Sequence, residues 1–189
     1  MQYKRPLSVV LWLVVLVNTF VACAPFKVVP RVEVPPASIT GVVADGALEL
    51  RAQLLSEDEV VKLFDGNLWL AGIIPIRVVL TNRGEEVLLT NKFNFQLKDA
   101  AGHSFQSIKA PQALEKMRKY YGVRLYSNEL YKEMQARFIS HSFNLEAAFT
   151  PSESRQGLIF FTQTKERPAP AGLRLELRGA TAALALPLN

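Results

Sequence analysis

Only one cysteine, Cys23, occurs in the 189 residues, so no internal disulfide is available to the fold. A secreted domain that relies on disulfides carries an even set. Histidine is nearly as scarce. His103 falls in an expected hairpin turn and His141 at an expected helix-to-strand junction, and neither has a partner at metal-ligand spacing. No G-x-S-x-G elbow and no glycine-rich phosphate loop occurs. Ser140-His141-Ser142 sets two hydroxyls beside an imidazole, but neighbours along a strand point to opposite faces, so the triplet makes no nucleophile–base pair. Charge is modest too, with 22 basic against 17 acidic residues. These absences argue against an enzyme, a cofactor, a metal site and a nucleic-acid partner.

What is present begins at the N-terminus. Lys4 and Arg5 precede an apolar run, Leu7 to Val17, of signal-peptide length. It is shorter than the roughly 20 apolar residues of a spanning helix. Val21, Ala22 and Cys23 then resemble the lipobox of bacterial lipoproteins, with Phe20 where leucine is usual. The resemblance implies a signal peptide over residues 1–22, a diacylglycerol on the Cys23 thiol, and a membrane anchor. Ala24 after the cysteine resembles an outer-membrane address facing the periplasm. Two other readings stand beside this one: cleavage after Ala24, or an uncleaved anchor that includes Asn18 to Ala24. Removal of residues 1–22 leaves 20 basic and 17 acidic residues, a formal +3.

Residues 23–37 hold the lipidated cysteine and a tether. Four prolines in Ala24–Ala37 favour extended backbone, a reach of roughly 40 Å at about 3.1 Å per residue. An edge strand over Val28 to Val34 is the alternative. Residues 38–189 read as one mainly β domain. Strands are expected over Ser38–Ala44 and Ala47–Leu55, with Asp45-Gly46 as the turn. Ser56 with Glu59 makes a capping box that opens a short helix to Phe64, and Asp65-Gly66-Asn67 ends it. Ile73–Asn82 is the strongest strand, with Pro75 implying a sheet edge or the first residues of pairing. Further strands are expected at Glu86–Thr90, Phe93–Lys98, near Phe105, and at Ser142–Phe149, Leu158–Gln163, Leu173–Leu177 and Thr181–Leu186. Pro151–Gly157 and Lys165–Gly172 read as loops.

Gly72-x-x-Pro75, the strand ending at Asn82, Phe95-x-Leu97-x-Asp99-x-x-Gly102 and Gly157-Leu158-Ile159-Phe160-Phe161 together resemble small immunoglobulin-like domains of bacterial surface lipoproteins. The resemblance spans roughly residues 45–180 and implies an immunoglobulin-like β-sandwich. Its motifs are turn and core residues, so it bears on fold and only weakly on activity.

The sandwich pattern is interrupted at about 109–138. Pro111–Tyr121, closed by Gly122, and Asn128–Phe138 read as two helices, an insertion. Residues 109–137 carry seven basic and three acidic side chains, and four of the five tyrosines. Tyrosine beside lysine and arginine suits an interface. Lys116, Arg118, Lys119, Tyr120, Tyr121, Arg124, Tyr126 and Tyr131 are therefore the candidate partner-binding residues, for an envelope protein or for anionic lipid headgroups. The plain structural reading is a solvated helical pair covering one sandwich face. The expected function is a non-catalytic accessory or protein-binding module of the envelope. The alternative is a carrier of a lipid or other apolar ligand held between insertion and sandwich, in a pocket lined by residues such as Met134, Phe138 and Phe160.

Overall fold

The computed structural model describes residues 41–122, 127–146, 148–162, 172–179 and 183–188. The expected signal peptide, Cys23, the tether, Arg124, Tyr126 and all of the expected loop Lys165–Gly172 except Gly172 lie outside the described residues. Within them the chain runs β1 (Gly41–Asp45), β2 (Leu48–Leu54), α1 (Glu57–Phe64), β3 (Ile73–Asn82), β4 (Asn94–Lys98), β5 (Ser104–Ile108), α2 (Ala110–Tyr120), α3 (Asn128–His141), β6 (Ser154–Thr162), β7 (Arg174–Arg178) and β8 (Leu184–Pro187).

All strand pairs are antiparallel, in the order β1-β2-β3-β6-β5-β4-β7-β8. The end strands β1 and β8 lie against each other, so the sheet is nearly closed on itself. A sandwich expectation separates two sheets; here β4 and β5 join the two halves, but through only Leu97↔Phe105 and Lys98↔Ser104.

Alternation along the strands fills the interior. Leu48, Leu50 and Ala52 of β2 meet Ile74, Ile76, Val78 and Leu80 of β3, Phe95 and Leu97 of β4, and Leu175 and Leu177 of β7. The other faces of β3 and β6 are covered as well. Ile73, Leu158 and Phe160 pack against Val60 and Phe64 of α1, Leu114 and Met117 of α2, and Met134 and Phe138 of α3. Burial on both faces explains why Ile73 to Leu80 shows no polar alternation. The one charged residue there, Arg77, is neutralised at the helix-facing side by Glu59 of α1, with Nη1 to Oε1 3.1 Å. Pro75 occupies an interior strand, not an edge. Its carbonyl accepts from Leu55 N–H at 3.2 Å, just past the end of β2, so its missing donor falls where pairing begins.

Local chemistry sets the helix and turn positions. Ser56 caps α1 in a reciprocal capping box with Glu59, and Asp65 closes it in the left-handed region. The first hairpin turns at Gly46-Ala47, one residue later than expected, because Asp45 pairs with Leu48. Glu86–Thr90 forms no strand; it makes a single bridge, Leu88↔Phe149, and then a 3-10 turn at Thr90–Lys92. The described residues of Ser142–Phe149 likewise make only bridges, one of them Ser142↔Leu158 in parallel. β6 instead starts at Ser154, three residues inside the expected loop. The cause lies at Gly157. A Cβ there would overlap the backbone of Phe143, which crosses β6 at that point. Phe143 N–H donates to the Leu158 carbonyl at 2.9 Å, and β3 pairs with β6 from Thr162 to Ser154.

Candidate functional site

The expected surface on α2 and α3 divides into parts that face different ways. Lys116 is half-buried and turned back onto the sheet, where its amine meets the Thr162 hydroxyl beside Gly72. Burial lowers its pKa. Arg118 is held on its own helix by Glu115, with Nε to Oε2 2.8 Å and Nη2 to Oε1 2.9 Å. Lys119 Nζ lies 3.7 Å from the same carboxylate and is mostly exposed. The Arg118 hydrogen bonds hold the Glu115 carboxyl below its ordinary range, although partial desolvation opposes them. Tyr131 is half-buried against the helix-side core. Arg137, one of the seven basic residues, is wholly buried and ion-paired to Asp65.

What remains outward is a tyrosine pair at the end of α2. Tyr120 and Tyr121 are 53% and 42% exposed, and their rings meet edge-on, 5.0 Å apart at 88°. Tyr121 is fixed from below. Its hydroxyl accepts from the Asn67 backbone N–H at 2.8 Å and donates to the Asn67 carbonyl at 3.2 Å. The structure thus brings Lys119, Tyr120 and Tyr121 to one exposed helix end and takes Lys116 and Tyr131 away from it.

The histidines are placed apart from this surface. His103 is exposed in the β4–β5 hairpin, bonded to Asp99 through its ring at 2.8 Å. His141 is the last residue of α3, buried edge-on to Phe64 with ring centroids 5.8 Å apart. The flanking hydroxyls are taken by helix carbonyls: Ser140 donates to Arg137 O and Ser142 to Phe138 O. Among the described residues no group of three histidine, cysteine or acidic side chains is placed to hold a metal, and no helix is long and apolar enough to cross a membrane.

Sequence reasoning missed a cleft of about 590 Å³ at the seam between the two half-sheets. Its walls are Phe93–Phe95 on the β4 side, Ser107–Ala110 where β5 gives way to α2, and Leu158–Phe160 of β6. Ile139 and Ser142–Glu146 complete it. Phe143, one of the lining residues, lies edge-on to Phe95 with ring centroids 5.8 Å apart. Met134 and Phe138, named above as lining an apolar pocket, are instead packed solid. Phe138 sits 4.3 Å from Phe64 and 5.6 Å from Phe160 between ring centroids. Of the three expected lining residues only Phe160 reaches the cleft. The available signal was the β5 sequence, Ser104-Phe-Gln-Ser-Ile, which has a single large apolar residue on the core face.

No family model matches the chain, and no curated protein matches it in sequence. Two solved structures are similar. One is a secreted protein from Mycobacterium tuberculosis, MPT63, with a TM-score of 0.39 at 13% identity over 80% of this chain and 90% of that one. The other is a conserved hypothetical protein from Bacillus anthracis, with a TM-score of 0.32 at 9% identity over 76% of this chain and 90% of that one.

Proposed function

We propose that the protein is a bacterial envelope lipoprotein, anchored through Cys23 at the outer membrane and facing the periplasm, that acts as a non-catalytic accessory module. On this reading it binds an envelope protein through the end of α2. The observation that carries the proposal is the tyrosine pair. Two large rings are exposed side by side, yet Tyr121 is pinned by two hydrogen bonds to Asn67. Aromatic side chains held rigid before binding lose little entropy on association, and such residues dominate interface energetics. Lys119 adds a steering charge beside them. The finer fold reading, an immunoglobulin-like sandwich, belongs to the same proposal. Its support is that β1-β2-β3-β6-β5 and β4-β7-β8 are joined by only two residue pairs.

Two experiments test this. Mass spectrometry of the mature N-terminus, with membrane fractionation of Cys23→Ala, tests the anchor; an unmodified Cys23 would remove it. Crosslinking in intact envelopes tests the surface. Tyr120→Ala and Lys119→Glu are expected to lose the crosslinked partner with the melting temperature unchanged, and retention of the partner by both would reject this surface. Carriage of a lipid or other apolar ligand is the second reading. The seam cleft, rather than the packed space around Met134 and Phe138, is where it would act.

A further inference from the structure

We infer that the outward face of β4 and β7 binds an acidic polysaccharide, at a place separate from the tyrosine surface. Phe95, Leu97, Leu175 and Leu177 point into the core, so the alternate residues of both strands point out. Register sets these in rows. Lys98 lies opposite Arg174, Gln96 opposite Glu176, and Asn94 opposite Arg178. Ser104 of β5 extends the first row beside Lys98. Glu176 is the single acid of these rows, and it is already engaged. Lys98 Nζ lies 3.0 Å from both of its oxygens, and Arg178 Nη2 lies 3.1 Å from Oε2. The Lys98 hydrogen bonds hold the Glu176 carboxyl below its ordinary range. Three cations against one carboxylate leave the face positive.

Lys98 and Arg174 face each other as like charges. Such a pair, directly opposite on neighbouring strands and about 5 Å apart at Cβ, costs stability. Lys98 turns diagonally to Glu176, while Arg174 is exposed and has no ion-pair partner among the described residues. An anionic group seated beside the two converts repulsion into attraction, and the guanidinium fork matches a carboxylate. Arg178 repeats the cation four residues on, about 13 Å along the strand. The occupant is therefore a chain that carries anionic groups at intervals. Uncharged neighbours specify the rest of it. Asn94, Gln96 and Ser104 carry donors and acceptors suited to sugar hydroxyls. On the other side of β7, Ala185 and Pro187 lie opposite Glu176 and Arg174, and their short side chains leave a low shelf beside the arginines. None of the residues on this face is a large apolar anchor of the kind that dominates protein interfaces.

The test is calorimetry on the full chain in a non-ionic detergent, with octagalacturonate, an oligosaccharide that carries one carboxylate per sugar. Binding is expected, and it is expected to weaken as salt is raised. Neutral maltooctaose is expected not to bind. Linear polyphosphate of equal charge is expected to bind at least tenfold more weakly, because it has no hydroxyls to meet the amides. Arg174→Glu is expected to weaken octagalacturonate binding tenfold or more. Its melting temperature is expected to stay at or above the parent's, since the new carboxylate faces Lys98. Arg174→Gln keeps the test decisive if that variant fails to fold. No binding of octagalacturonate at millimolar concentration overturns the inference, and so does parent affinity in both Arg174 variants. Maltooctaose or polyphosphate bound as tightly as octagalacturonate overturns it as well, the first by removing the need for charge and the second by showing a general counterion surface.

Discussion

Replacing Asp65 by asparagine removes one charge from the Arg137 pair and leaves the backbone undisturbed. Asp65 closes α1 at φ 50, ψ 27, in a region that asparagine adopts readily. Its Oδ2 lies 2.7 Å from Arg137 Nη1, which also reaches the Leu63 carbonyl at 3.4 Å. The two partners sit in unlike surroundings. The Arg137 side chain is 1% exposed and that of Asp65 is 58% exposed. Removing one member of a buried ion pair costs about 3–5 kcal/mol, because the other charge is left in a poor solvent. Here water already screens the carboxylate, so the expected loss for Asp65→Asn is about 1–2 kcal/mol. For a domain of this size that lowers the melting temperature by about 3–6 °C.

Arg137→Met runs the same argument in reverse. It fills the buried site with an unbranched apolar chain and leaves Asp65 in water. The desolvation cost of the guanidinium disappears along with the attraction. The expected stability lies within about 1 kcal/mol of the parent, on either side. Urea and thermal melts followed by circular dichroism measure both variants. The result that refutes the reasoning is an Arg137→Met variant that loses as much as Asp65→Asn. The pair would then contribute net stability, and the desolvation argument would have the wrong sign.

Phe138→Ala is expected to cost about 3–5 kcal/mol in the same melts, since the ring is wholly buried between Phe64 and Phe160. Glu153 is held at about 2 by the Arg155 hydrogen bond and by Thr150, below the ordinary 4.5. A depressed carboxyl contributes stability above its unfolded value and loses it as the pH falls, so urea midpoints should drop between pH 4.5 and about 2, with a shallower slope in Glu153→Gln. Gly157→Ala is expected to destabilise far more than a strand alanine does elsewhere, because the methyl group meets the Phe143 backbone; a melt unchanged within error would show that the crossing relaxes freely.

Elements whose determinants are local were legible in the sequence. The Ser56–Glu59 box and Asp65 set both ends of α1, and β3 spans Ile73–Asn82 as read. Alternation in Phe93–Lys98 and Leu173–Leu177 located β4 and β7. The readings that differ depend on distant partners. Glu86–Thr90 has strand composition, but a lone bridge to Phe149 is all the pairing it finds. Ser154–Gln156 is polar and reads as loop, yet β3 supplies it with Thr81, Leu80 and Val79 as partners, and ladder pairing overrides composition.

The same limit governed the sites. A basic count over residues 109–137 treats every cation as outward, because charge alone does not say which helix face it occupies. Periodicity does say so for Arg137. It precedes Phe138 and lies three residues past Met134, in the stripe that packs on β3 and β6, so a cation there needs the carboxylate that Asp65 brings from α1. Lys116 precedes the buried Met117 in the same way and turns to Thr162. With these two turned inward, Lys119, Tyr120 and Tyr121 stay outward at the end of α2, and Tyr121 is the one whose hydroxyl found backbone groups 54 residues away. The seam cleft is harder still to read from sequence. Its walls come from β4, β5, β6 and residues 142–146, and which of these meet is a property of the pairing, written in no one strand alone.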